Sequence, residues 1–395
     1  MKFVPFSKLC VLATLLLGSS GIFAAEMPTV IVNPPIKKDF IDPIPISVSG
    51  YSGEVASALK FDLESAGCEY VSTDKAHFLL TPAPKNPAAV SGFLTTSSKN
   101  EMLRKAYSGA GDRALAHALA NDVILALTGQ KGVAGSKIAF RIDQAGNEEI
   151  GIADCDGYNL IAITSDHSLT KGPAWIPGKL EVVYATWRLG PPQILLQKLS
   201  SGERKKVIGL PGGSHSPAVS PDGTKVAFIS PRGGSSPDLY VVNLDGSGLK
   251  RLTTNDDDES SPAWSPDGKT LLYSGRHKGN SYLFTVPSDG TGTPGRLKVI
   301  GVYNATEPDW SPDGKTIVFT TQRGGFEICT VPAGGGTSTS ICAGEDPSWA
   351  PNSRTVVFVN RKGDDRVLSL LDVPTKRVKD LRRIAGSCSQ PSWTR

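Results

Sequence analysis

The chain reads as a six-bladed β-propeller that follows a small N-terminal α/β domain. Three observations carry that reading. A Pro-x-Trp mark recurs at Pro173-Ala174-Trp175, Pro262-Ala263-Trp264, Pro308-Asp309-Trp310, Pro347-Ser348-Trp349 and Pro391-Ser392-Trp393, and Pro217-Ala218-Val219 completes the series. The prolines are spaced 44, 45, 46, 39 and 44 residues apart. That is the period of a four-stranded propeller blade. In three units the mark runs into Ser-Pro-Asp-Gly, at 220–223, 265–268 and 311–314. Proline supplies a fixed φ there, and Asp-Gly tolerates the positive φ that a tight hairpin needs.

Each element follows from this grammar. A short apolar strand succeeds the turn, as in Val226-Ala227-Phe228-Ile229, Leu271-Leu272-Tyr273, Ile317-Val318-Phe319 and Val356-Val357-Phe358-Val359. A polar loop leads to a third strand such as Leu239-Tyr240-Val241-Val242. A second Asp-Gly turn then opens a more polar fourth strand such as Leu249-Lys250-Arg251-Leu252-Thr253. The mark tryptophan belongs between neighbouring blades, where its large area is buried. The first unit, from Ser136, lacks a mark before it, and the last mark, Pro391 to Arg395, lacks a unit after it. The C-terminal strand is therefore expected to complete the first blade and shut the ring. A β-sandwich is the alternative, and the regular period argues against it.

Upstream of residue 131 the pattern changes. Thr29–Val32, Ile44–Val48, Phe78–Leu80 and Gly92–Thr96 read as strands. Gly53 to Ala66 reads as a helix with Val55, Leu59 and Leu63 on one face, and a second helix is capped by Asp112 and closed by Gly129. The expected organisation is a signal peptide over 1–25, an α/β domain over 26–130, a glycine-rich linker over 131–136 and the propeller over 137–395. The signal peptide is read from Lys2 and Lys8, the apolar run 9–17 and the small residues ending at Ala25. That run is too short to cross a bilayer as a helix, so cleavage near Ala25 and export to the periplasm are expected, with no membrane insertion of the mature chain.

Composition narrows the functions. The formal charge is +4 with no sustained basic run, so nucleic acid is not an expected partner. Of the 6 cysteines, Cys10 lies in the leader, and no CxxC spacing points to zinc. Cys329 and Cys342 flank a glycine-rich turn, where a disulfide is permitted but not required. The nucleophile elbow, the His-Glu-x-x-His zinc motif and the phosphate-binding glycine motifs are all missing, and no cofactor is expected. The run Asp256-Asp257-Asp258-Glu259 reads either as a calcium loop or, lacking its ligand spacing and central glycine, as a solvated loop.

Strand order puts every Asp-Gly turn on one face of the ring and the longer, variable loops on the other. Binding usually resides on such loops. On that second face Arg188, Arg232, Arg276, Arg323 and Arg361 each follow the second strand's aromatic residue by three or four positions, and the first blade has Gln144 instead. His215, Glu259, Glu307, Glu345 and Asp346 lie in or just before the marks. These charges either pair with one another or form a polar funnel in which arginines grip a partner's carboxylates. A different reading takes Glu259 and Glu307 as equivalent carboxylates converging in the channel of a lyase or glycan hydrolase.

The export signal, the small α/β domain and the repeated Pro-x-Trp-Ser-Pro-Asp-Gly-Lys units together resemble the TolB family of the Tol–Pal envelope system. The resemblance covers roughly Glu26 to Arg395. It implies a non-enzymatic periplasmic scaffold, a monomer, whose propeller mouth binds the outer-membrane lipoprotein Pal. It also implies a contact between the N-terminal segment, Glu26 to Asn33, and TolA.

Overall fold

The computed structural model describes residues 42–84, 90–144, 146–231, 236–322 and 324–394, with the backbone of a two-residue strand at Phe23–Ala24. The expected leader apart from that strand, the Thr29–Val32 strand and the Glu26–Asn33 segment lie outside the described residues.

Six four-stranded antiparallel sheets form the ring, and sequence order is kept within all but one of them. In the exception, Ser387–Trp393 is the inner strand of the sheet that continues with Lys137–Gln144. Trp393 lies opposite Ile138 and Ser392 opposite Ala139. The last segment thus clasps the first blade, as the unmatched ends of the repeat require. Counting that sheet as blade 1, the inner strands of blades 2 to 6 are Thr170–Trp175, His215–Val219, Asp258–Trp264, Ala305–Trp310 and Glu345–Trp349.

Apolar clusters straddle the seams between blades. Ile176, Val183 and Ile194 of blade 2 join Val226, Phe228 and Tyr240 of blade 3, and Phe140 and Trp393 of blade 1 join Val357 and Leu368 of blade 6. Trp264 bonds through Nε1 to the Ala218 carbonyl of the preceding blade at 3.0 Å, and Trp175 does the same to Ser392. The Ser-Pro-Asp-Gly turns lock by side chain: the Ser220 hydroxyl donates to Asp222, and Ser265 and Ser311 repeat the contact with Asp267 and Asp313.

The N-terminal sheet runs Phe23–Ala24, Glu101–Ser108, Val90–Thr96, Phe78–Thr81, Ile44–Val48, Cys68–Tyr70. Helices α1 (Gly53–Ser65) and α2 (Asp112–Thr128) share its core. The expected cap at Asp112 shifts by one: Gly111 occupies the cap position and Asp112 is already helical, its charge favouring the positive N-terminal end. Gly129 closes α2 with a left-handed φ of 71°. The sequence reading lacked Cys68–Tyr70 and Glu101–Ser108, the first very short and the second interrupted by charges.

This α/β unit sits against the outer strand of blade 6 and the turn face of blade 1. Phe61 of α1 packs on the blade 1–blade 6 cluster, Arg377 donates to the Cys68 carbonyl, and Lys379 pairs with Glu64. The loop face opposite the tight turns is left clear of these contacts. All five described cysteines are free thiols; Cys329 and Cys342 stand on neighbouring strands without a disulfide.

Candidate functional site

The inner strands build the channel. Each is bulged at its mark, with a register shift between residues such as Ser260 and Ala263, or Thr306 and Asp309. The bulge places the residue before each mark proline in the left-handed region: Gly172, Ser216, Ser261, Glu307, Asp346 and Gln390 have φ of 60, 51, 48, 52, 53 and 51°. Five of these six are not glycine, which the closed ring holds in place at a local cost. Together with the six prolines they line a mouth cavity of about 160 Å³, continuous in its lining with a wider channel of about 400 Å³ beneath.

Half of this ring is stitched from blade to blade. Glu307 accepts the Asp346 backbone N–H at 2.9 Å, Asp346 accepts that of Gln390 at 2.9 Å, and Gln390 accepts that of Gly172 at 3.0 Å. Ser216 and Ser261 have side chains too short to reach across in this way. Burial, with Glu307 beside it, pushes the Asp346 carboxyl up to about 8. A raised acid binds its proton more tightly when folded, so this contribution is present at low pH and is lost as pH rises through about 8. Asp346→Asn keeps the acceptor and removes the repulsion. Urea unfolding is expected to show wild-type stability falling between pH 6 and 8 by up to about 1.4 kcal/mol per pH unit, and a flatter profile for the variant.

The sequence-derived residues separate into three groups. Glu307 and Asp346 stand at the mouth. His215 is half-buried on blade 3, outside the mouth lining, its Nδ1 3.1 Å from the Ser216 hydroxyl, and burial with Lys171 nearby lowers its pKa and keeps the ring neutral. The three described arginines lie outside the lining of the mouth. Arg188 is exposed, 3.6 Å from Asp166, and Arg276 is exposed. Arg361 makes a two-pronged bond to Glu345 at 3.1 and 2.7 Å and stacks over Phe326, so there the charges do pair with each other. Arg232, Arg323 and the Gln144 side chain lie outside what the structure describes.

Glu259 departs from expectation. It stands three residues before its proline, whereas Glu307 stands one before, and it is buried between blades 3 and 4. The two carboxylates are therefore not equivalent and do not converge on the mouth. Strand alternation and the bulge send these two positions in different directions.

Sequence reasoning also missed Gly172, Ser216, Ser261 and Gln390, though the residue before each mark proline was a legible position. It missed two exposed apolar side chains on the loop face. Leu189 is 76% exposed between the second and third strands of blade 2, and Tyr303 is 75% exposed between blades 4 and 5. Among the described residues no cluster of three or more His, Cys, Asp or Glu could hold a metal, and no helix is long and apolar enough to cross a membrane.

A family model described as the TolB beta propeller domain matches residues 125–395. The chain belongs to that family. The Tol-Pal system protein TolB of Anaeromyxobacter dehalogenans (strain 2CP-C) is 29% identical over 294 residues, covering 64% of this chain and 66% of that protein. TolB of Anaeromyxobacter sp. (strain K) matches at the same identity over the same length. The chain spans just under two thirds of these TolB relatives. In three dimensions the crystal structure of TolB from Acinetobacter baumannii superposes with a TM-score of 0.78 at 22% identity, over 93% of this chain and 99% of that one. A putative TolB from Agrobacterium tumefaciens gives 0.52 at 22% identity, over 63% and 88%. These likenesses establish the TolB architecture, with propeller and N-terminal α/β part together.

Proposed function

We propose that this chain is a non-enzymatic periplasmic scaffold of a Tol–Pal envelope system. Its loop face docks a Pal-like outer-membrane lipoprotein, and its N-terminal segment reaches the inner-membrane protein TolA. In that role it links outer membrane, peptidoglycan and inner-membrane Tol proteins, and so supports envelope integrity and cell division. The observation that carries the reading is the composition of the loop face. Exposed Leu189 and Tyr303 flank exposed Arg188 and Arg276 around an acidic mouth, on the side the α/β unit leaves uncovered. Aromatic and arginine side chains around a recessed centre are the usual anchors of a protein interface, and acidic partner side chains suit the arginines. Family membership points to the same partner class.

The test is direct capture. Immobilised chain incubated with detergent-solubilised envelope from its own host is expected to retain a peptidoglycan-associated lipoprotein. Arg188→Ala, Arg276→Ala and Tyr303→Ala should each weaken that complex by ~5- to 30-fold without lowering the melting temperature. Failure to retain any lipoprotein, or unchanged affinity in all three variants, overturns the proposal.

A further inference from the structure

Blade 4 differs from its siblings at one buried position. Three residues before the mark proline, the other blades carry Cys388, Thr170, Ser214, Ala305 and Gly344, all buried and small; blade 4 carries Glu259, 2% exposed. Among the described residues, neither Glu259 carboxylate oxygen has a hydrogen-bond partner of good geometry. An unsatisfied buried carboxylate is costly, so its retention calls for a counterpart.

The surroundings are made of oxygen. The Glu259 backbone N–H bonds to the Pro237 carbonyl at 3.1 Å, which brings it beside Asp238, itself 0% exposed. The Thr253 hydroxyl lies next to both carboxylates, and Asn255 lies next to Glu259. Asp257 adds a third negative charge from the loop; it contacts His277 Nδ1 at 2.7 Å and the Asn255 amide at 3.2 Å. The buried Tyr273 hydroxyl has no partner among the described residues and faces the same field of Glu259 and Asp257. Among the described residues, one guanidinium stands against these three carboxylates: Arg251, 2.6 Å from Asp238. Blade 1 provides the contrast: buried Glu149 is satisfied by the Thr164 hydroxyl and the His167 backbone N–H.

We propose that the seam between blades 3 and 4 binds a hard divalent cation of the calcium class, with Glu259 and Asp238 as anionic ligands and Thr253 and Asn255 as neutral donors. The all-oxygen set suits calcium and disfavours the transition metals that seek thiolate or imidazole. Exposed Asn255 and Asp256 give an entry from the loop face. The acidic run thus divides: Asp256 and Asp258 face solvent and Glu259 turns inward.

Terbium, a luminescent stand-in for calcium, and calcium itself are the probes, applied to the chelator-treated full chain. Calcium at a hundredfold excess over its Kd is expected to raise the melting temperature by roughly 5 °C. It should also displace tyrosine-sensitised terbium emission. Glu259→Gln should weaken terbium binding by about 100-fold or more and, in chelator, melt above wild type because a buried charge is gone. Tyr273→Phe should keep the calcium shift and lose most of the emission, which places the ion. Asp238→Asn, expected to weaken calcium at least tenfold, decides the matter if Glu259→Gln does not fold. No response of wild type to millimolar calcium, or an undiminished response in the foldable carboxylate variant, overturns the proposal.

Discussion

A chain ending at Gly386 is expected to lose its cooperative melt and its near-ultraviolet circular dichroism. The missing strand, Ser387–Trp393, is the inner strand of blade 1, so its loss opens the ring at the channel wall. Cys388 and Trp393 would leave a buried cluster that holds Ile138, Phe140, Val357 and Leu368, exposing both sides of the blade 1–blade 6 seam. Two ties across the ring go with them: the Trp393 Nε1 bond to the Ser136 hydroxyl at 2.7 Å, and the Trp175 bond to the Ser392 carbonyl at 3.0 Å. Trp393→Ala alone should cost ~3–5 kcal/mol by cavity formation. Adding the lost ladder and Cys388 brings the sum into the ~5–15 kcal/mol range of whole-domain stability. A truncated chain that melts cooperatively within a few degrees of wild type would show that the ring closes by other means.

The same strand shows what a sequence can and cannot disclose. Ring closure was legible because an unmatched unit at Ser136 and an unmatched mark at Pro391 are complementary remnants of one period. The turns were legible because Ser-Pro-Asp-Gly fixes its own geometry through local bonds such as Ser220 to Asp222. The mouth was half legible. Glu307 and Asp346 were found, but the bulge behind each proline is a backbone event with no residue type of its own: Gly, Ser, Glu, Asp and Gln all occupy it. Without the bulge, Glu259 and Glu307 look interchangeable; with it, one faces a seam and the other the channel. The exposed Leu189 and Tyr303 were hidden because single apolar residues in loops are ordinary, and only their placement on one face gives them meaning. Least legible was the contact between the α/β unit and the ring, which joins side chains from three distant segments.

That contact supports the second large effect. Asp156→Asn is expected to destabilise the chain by ~3–5 kcal/mol at neutral pH, because it strands buried positive charge. Asp156, in the turn of blade 1, pairs with Arg113 and lies 3.2 Å from His117 Nε2, both on α2; His117 Nδ1 is 2.7 Å from Asp62 on α1. Arg113 stacks at 3.2 Å on Tyr158, whose ring also meets Arg383, and Glu54 is 3.8 Å away at the edge. Burial opposes charge on the His117 ring, but its bonds to Asp156 and Asp62 outweigh that and raise its pKa to about 9. A histidine whose pKa is raised on folding stabilises fully below its unfolded value near 6.5, and that contribution disappears as pH climbs through about 9. Wild-type stability should therefore decline between pH 7 and 9.5. In Asp156→Asn the His117 pKa should fall, so the decline should be smaller and end at a lower pH, because Asp62 alone holds the proton. Proton NMR of the His117 ring reads both quantities, and titration of wild-type His117 near 6.5 would show that the α/β unit is not held to the ring by this charge.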